Sequence, residues 1–440
     1  MESNNDDRGG GGAVHRFLWY DRGFLLLWGG QSLSLLADAA VRIVVLIWVY
    51  QRTRSGVAVS LVGLAEAVPL LLLGPLAGVF VDRWSRAATM AGAALARALL
   101  LGLLVVAPGH ATLALIVLVI LLANAASQFF QPAATAAVPV VLGPARAGQA
   151  NGLLALVTGG IAVTVPGPAA LLFAAAGPRR TLALLALLYL LAAPLLARVP
   201  ARRVHRGDGP RTAFVDELRE GLGYVRRSRL LRGIAVVTGL TMLGIGALSV
   251  LDVVFVTRAL HLPVATAGVL FTAMGAGEAV GSVLVSLMHG RLRRHYHQVL
   301  SLAVLANGLC NVAYAGAPTL VVAALLMGGV GLSLPPIAVA STTLVQRATD
   351  DRVMGRVVGV IGTISSVAMI ASTVGGGVLV DRVGVRVVIG GAATLLVVAA
   401  LVAYALLWTL PLSVTSFGTS FLDASGQDAR HPGVKRTVDR

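Results

Sequence analysis

Apolar runs about as long as a bilayer is thick recur along this chain, from Phe24 to Trp408, with short polar breaks between them. A helix rises only about 1.5 Å per residue, so each crossing of a hydrocarbon core takes about 20 apolar residues. Lipid offers no partner for backbone N–H and C=O groups, and runs of this length therefore fold as helices. Alternating segments of about ten residues, the mark of a membrane barrel, do not occur. Only 12% of the 440 residues are charged and 57% are hydrophobic, against roughly 25% charged in a soluble domain. The expected class is an all-α, multi-pass membrane protein. The single cysteine, Cys310, lies inside an apolar run, which excludes a disulfide framework and a cysteine metal site. The opening MESNNDDRGGGG reads as a polar tail rather than a signal peptide, because it has no apolar core.

A bilayer-length window gives about twelve spans, near 24–50, 58–81, 88–107, 111–130, 152–175 and 181–197, then 233–256, 267–288, 299–315, 319–344, 357–380 and 387–408. One long polar segment, 198–232, divides them into two six-helix halves, 23–197 and 233–409. Tails at 1–22 and 410–440 flank the halves.

Arginine sets the expected orientation. With the N-terminus inside, the inner segments hold 26 of the 35 Lys and Arg residues and the outer loops hold 7. The remaining two, Arg42 and Arg97, fall within spans. This bias places both termini in the cytoplasm of a cell membrane. Basic loops lying on an anionic leaflet account for the net charge of +16, so the charge calls for no nucleic acid partner.

Two strings nearly repeat one another: Gly78-Val-Phe-Val-Asp82-Arg83-Trp-Ser-Arg86, and Gly377-Val-Leu-Val-Asp381-Arg382-Val-Gly-Val-Arg386. The first follows an even-numbered span and the second an odd-numbered one. The count therefore puts them on opposite sides of the membrane, where they cannot do the same job. Gly78 and Gly377 let neighbouring helices approach closely.

Two six-helix halves around a basic central loop, with Gly74-Pro-Leu-Ala-Gly78 running into Asp82, Arg83 and Arg86, resemble the major facilitator superfamily and its signature loop between helices two and three. The resemblance implies that this loop steadies a closed cytoplasmic gate. Phe130-Gln131-Pro132, Ala150-Asn151, Glu220-Gly221-Leu222, Gln346 and Gly355-Arg356-Val357 resemble the branch that holds macrolide efflux proteins and the enterobactin exporter. Gly159-Gly160 and Gly167-Pro168 in helix five resemble the family's antiporter motif, although Leu171-Leu172 stands where a second glycine pair is usual. In such a fold helices one, four, seven and ten line the path. That favours Gln31, Ser34, Asn124 and Gln128 as cavity residues over Asn307.

Ionisable groups inside spans are costly and point to function. Trp28 and Trp48 read as interfacial anchors of helix one, with Asp38 midway between them and Arg42 one turn further along the same face. Glu66 comes to Arg42's height, and Glu278 lies close to the midplane of helix eight. A carboxylate in a low-dielectric setting can load and release a proton near neutral pH. Asp38 is thus the first proton-coupling candidate and Glu278 the second, with Arg42 holding either Asp38 or Glu66. Asp252 reads as an interfacial charge, and Arg97 has no assigned role. His289, His295 and His297 read as a basic surface loop rather than a metal site.

No Gly-rich phosphate loop with Lys-Ser/Thr occurs, so neither direct ATP drive nor any cofactor is expected. The reading is a monomeric, non-enzymatic secondary transporter with a small-molecule substrate, protons and membrane lipid as its partners. It exports an amphipathic compound of drug, antibiotic or siderophore type by proton antiport. Proton-symport uptake, lipid flipping and ligand sensing are the rival readings.

Overall fold

The computed structural model describes residues 21–81, 84–106, 112–200, 214–292, 295–350 and 352–407. Both expected tails, apart from Asp21 and Arg22, lie outside the described residues, as do Asp82 and Arg83. Among the described residues there are thirteen α-helices. They are α1 Arg22–Thr53, α2 Gly56–Val81, α3 Arg86–Val106, α4 Leu113–Leu142, α5 Pro144–Thr164, α6 Pro166–Ala197 and α7 Phe214–Arg227. Then come α8 Arg229–Arg258, α9 Ala267–Leu292, α10 Tyr296–Ala315, α11 Leu320–Arg347, α12 Met354–Val383 and α13 Val385–Leu407. Eleven are long and apolar enough to cross a membrane. Short polar side chains start several of them by taking an orphan N–H of the first turn. Asp21 does so for Phe24, Thr112 for Leu115, Ser228 for Leu231 and Thr319 for Val322.

The fifth and sixth passes are divided where the sequence expects, between 175 and 181, although a break in helix assignment falls earlier, at Pro166. Pro166 has no N–H to continue a helical ladder, and helix α5 ends just before it while the chain carries on in the same region of backbone space. The real turn is Gly177, at φ 74° and ψ 174°, inside α6. A side chain rarely adopts that backbone conformation. Residues 144–176 therefore form one leg and 178–197 the next, which gives twelve legs in all.

The two halves are built alike. In the first, α1 packs on α6, α2 on α4, and α3 on both α4 and α6. In the second, α8 packs on α13, α9 on α11, and α10 on both α11 and α13. One pairing departs from this pattern: α8 lies tightly along α12, while the matching α1 and α5 touch only in part. Between the halves, α2 meets α12, and α5 and α6 meet α9.

Buried apolar residues show how the bundle opens. At the end remote from the central linker, the far end, one continuous core joins both halves, from Val44–Tyr50 of α1 to Val250–Val256 of α8. Toward the linker end that core forks. One branch, around Phe24, Phe130 and Leu196, belongs to the first half, and the other, around Ile234, Tyr296 and Val357, belongs to the second. Lipid supplies little hydrophobic drive between helices, so close packing of small residues has to hold the joined end. A Cβ on Gly275 would lie 2.1 Å from the Ala162 carbonyl oxygen, and one on Gly246 would lie 2.6 Å from that of Met369.

Candidate functional site: an ion-paired cavity between the halves

A cavity of about 1110 Å³ fills the fork. Legs of the first half and the helix α12 wall it, and every lining residue from the second half belongs to α12. Helices α1 and α4 contribute as expected. The seventh and tenth legs, α8 and α11, contribute nothing, because α12 lies along α8 and stands in front of it. Much of the wall is aliphatic, with Leu35, Val41, Leu70, Leu71, Ile120 and Ile161; of its five charged residues four form two pairs, and the fifth is Arg356 of α12.

The first pair lies at mid-membrane. Asp38, 16 residues from the start of α1 and 15 from its end, faces the cavity. Nη1 of Arg97 donates to both of its carboxylate oxygens, at 2.8 and 2.9 Å. The Tyr189 hydroxyl of α6 makes a short hydrogen bond to one of them. Arg97 is 1% exposed and is held on all sides. Its Nε donates to the Ala93 carbonyl at 3.1 Å, Nη1 reaches the Ser127 hydroxyl at 3.5 Å, and its guanidinium carbon sits 4.7 Å from the ring centroids of both Phe130 and Tyr189. Such stacking favours a guanidinium over an ammonium. Nη2 is buried without a partner among the described residues, so the site holds one unspent donor. Arg97, unassigned from sequence, is thus the partner of Asp38.

The second pair joins α1 to α2: Arg42 Nε lies 3.4 Å from Glu66 Oε2. Of the two carboxylates open to Arg42 in the sequence, this one is within ion-pair distance. Asn124 and Gln128 also line the cavity, each donating to its own helix, to the carbonyls of Ile120 at 3.0 Å and Asn124 at 3.3 Å. Gly74 lines it too.

Other candidates lie elsewhere. Gln31 and Ser34 are buried away from the cavity lining, and the Ser34 hydroxyl has no partner among the described residues. Glu278 is outside the lining as well. Its segment of α9 packs on α11, where a Cβ on Gly331 would lie 2.9 Å from the Glu278 nitrogen. Asn307 ties α10 to α11 through the Ser333 hydroxyl at 2.8 Å. Gly78 lies in the last turns of α2, and Arg86, first residue of α3, is buried with Nη1 unpartnered among the described residues. The helix-five motif is divided. Gly159 and Gly160 have open space where a Cβ would be, whereas the Gly167 N–H donates to the Thr272 hydroxyl of α9 at 2.9 Å, and Pro168 follows it in the first turn of α6.

Two sequence expectations need correction. Asp252 is not an interfacial charge: it is 4% exposed and accepts a hydrogen bond from the Tyr314 hydroxyl at 2.9 Å. Helix α8 runs on to Arg258, which leaves Asp252 more than a turn inside. Trp48 is not an interfacial anchor either, since α1 continues to Thr53 and carries Trp48 into the far-end core. Two of the branch phrases come together at the linker: Glu220 of α7 makes a short ion pair with Arg356 of α12, and a Cβ on Gly221 would lie 2.6 Å from the Arg356 carbonyl oxygen.

Twelve helical legs in two like halves, with charged pairs facing a cavity between them, define a multi-pass membrane transporter fold. The chain belongs to the Major Facilitator Superfamily, whose sequence profile matches residues 27–373. It is 24% identical over 374 residues to Macrolide efflux protein A of Streptococcus pyogenes, covering 82% of this chain and 90% of that one. It is 29% identical over 375 residues to the Multidrug efflux pump Tap of Mycobacterium tuberculosis, covering 82% and 88%. Among solved structures, a mutant of the nucleoside transporter NupG superposes with a TM-score of 0.75 at 14% identity, covering 87% of this chain and 99% of that one. A bacterial homologue of the human lysosomal transporter Spinster, inward-facing and unoccupied, gives 0.69 at 14% identity, covering 90% and 98%.

Proposed function

We propose that this protein is a secondary active exporter that moves a small amphipathic compound out of the cell in exchange for protons, alternating between a cavity open at the linker end and one open at the far end. The observation that carries this reading is the Asp38–Arg97–Tyr189 group on the wall of a large, mostly aliphatic cavity. The names of the efflux relatives agree with export. The arginine bias agrees with a cytoplasmic linker end, and in that orientation the fork of the core opens toward the cytoplasm. The protein works as a monomer among membrane lipids and needs no cofactor.

In this mechanism Asp38 is deprotonated while Arg97 and Tyr189 hold it. A proton arriving from the far side neutralises the carboxylate and loosens its hold on Arg97. Substrate entering from the cytoplasm favours the proton-free form. Linkage then requires substrate to shift proton affinity as much as protons shift substrate affinity. Glu66 and Arg42, further along the same wall, meet polar groups of the substrate. Reconstituted vesicles with an imposed pH gradient test this directly, with substrate and proton flux followed together. Wild-type transport that ignores the gradient would remove proton antiport.

A further inference from the structure

At the far end, a contact unconnected with the cavity joins the two halves. Asp381 lies in the last turn of α12, in the second half. Its carboxylate accepts hydrogen bonds from the N–H of Gly56, at 3.2 and 3.1 Å, and from that of Val57, at 3.4 Å, and it also accepts one from the Ser55 hydroxyl at 3.1 Å. These groups open α2, in the first half. The first N–H groups of a helix have no partner within it and carry partial positive charge. Ser55 takes the N–H of Ala58 at 3.4 Å, and Asp381 takes the two before it. A residue from the opposite half therefore completes the cap of α2.

The same carboxylate pairs with Arg258 Nη1 at 2.8 Å, at the last residue of α8. Arg258 in turn crosses to the first half, where its Nη2 donates to the Arg54 carbonyl at 2.6 Å and its Nε to the Tyr50 hydroxyl at 3.2 Å. Both members of the pair thus bridge the halves. The backbones press together beneath them. A Cβ on Gly56 would lie 2.0 Å from Val380 Cγ1, and one on Gly377 would lie 2.1 Å from the Ser60 hydroxyl. None of this can survive opening at the far end, because the first turn of α2 would have to leave the last turn of α12.

We propose that Asp381, together with Arg258, is the latch that holds the far end shut while the cavity faces the linker, and that it must release in every transport cycle. The proposal rests on the alternating-access reading above. It also revises the comparison of the two Asp-Arg strings. They fall at opposite ends of the bundle, as counted, and the string at Gly377–Arg382 does for the far side what the family resemblance implies for the string at Gly78–Arg83 on the other. The two are mirror devices rather than unrelated ones.

Cysteine accessibility tests it, in full-length protein carrying Cys310→Ala. One reporter replaces Ser60, buried under the latch, and is probed with an impermeant maleimide from the far side. A second replaces Thr158, which is exposed and lines the cavity, and is probed from the linker side. Asp381→Ala should speed labelling at position 60 by at least about fivefold, the scale of one conformational coupling, and slow it at position 158. Arg258→Ala should act in the same direction. Asp381→Asn, which preserves size, and Ser55→Ala, which takes one hydrogen bond away from Asp381 and one from the Ala58 N–H, guard against misfolding and should give smaller shifts of the same sign. Unchanged labelling at position 60 in all four variants overturns the latch. Faster labelling at position 60 with no change at position 158 leaves the latch standing and counts instead against alternating access.

Discussion

Arg97 of α3 and Asp38 of α1 form a mid-membrane ion pair in which the arginine is 1% exposed and the aspartate faces the cavity. Removing either partner therefore has unlike effects. Arg97→Ala leaves a carboxylate that is 37% exposed without its cation and should lower stability by about 1–3 kcal/mol, read as a fall in the unfolding midpoint in detergent. Arg97→Lys keeps the charge but loses the flat contact with Phe130 and Tyr189, and should recover only part of that loss.

Asp38→Asn keeps the shape of the site and fixes it neutral. Uphill export driven by a pH gradient should be abolished, while downhill exchange of substrate survives. Vesicle assays that separate the two modes decide the matter. A variant that still concentrates substrate as wild type does would make Asp38 a packing residue.

Asp38 was legible because a carboxylate stands out in an apolar run, but its partner was not. Arg42 sits one helical turn away and looked like the local choice, whereas Arg97 arrives from another helix 59 residues further on. Counting alone does not settle it: four acids, Asp38, Glu66, Asp252 and Glu278, fall inside the spans with the two cations, and the observed pairing is one of several. The number of passes was readable from run length. Helix α1 runs three residues and α8 two residues past the ends read from the sequence, and packing against neighbouring helices is what buries Trp48 and Asp252. The choice of α12 over α8 and α11 as the cavity wall depends on how the halves lean together, which no local pattern in the chain records.

The Arg42–Glu66 pair is half open to the cavity, where solvent screens it and an ion pair is worth about 0–1 kcal/mol. Glu66→Gln should leave the unfolding midpoint nearly unchanged yet alter which substrates compete for transport. Competition assays with cationic and neutral compounds would show it. A large stability loss would instead mark the pair as a packing element.

At the linker, Gly221 rather than the exposed Glu220–Arg356 charge pair should govern how α7 docks on α12. A Cβ at Gly221 meets backbone, 2.6 Å from the Arg356 carbonyl oxygen, which cannot swing aside as a side chain can. Gly221→Ala should cost about 1–3 kcal/mol and speed proteolysis around α7. Glu220→Gln should do neither.

Glycines packed in the far-end seal and glycines facing open space should respond in opposite ways. Gly275 and Gly268 lie in the far-end seal, where a Cβ would come within 2.1 Å of the Ala162 carbonyl oxygen and 2.6 Å of Ala170 Cβ. Gly159 and Gly160 have nothing within 4 Å. Gly275→Ala should therefore push the halves apart at the far end and raise accessibility there. Gly159→Ala and Gly160→Ala should leave stability and far-end accessibility at the wild-type level. If these two glycines are kept bare so that the linker end can close, each alanine should nevertheless slow transport, because the clash arises only in the other state. Transport at the wild-type rate in both would mean that the space beside α5 stays open throughout the cycle, and that the glycine pair of the helix-five motif takes no part in closing it.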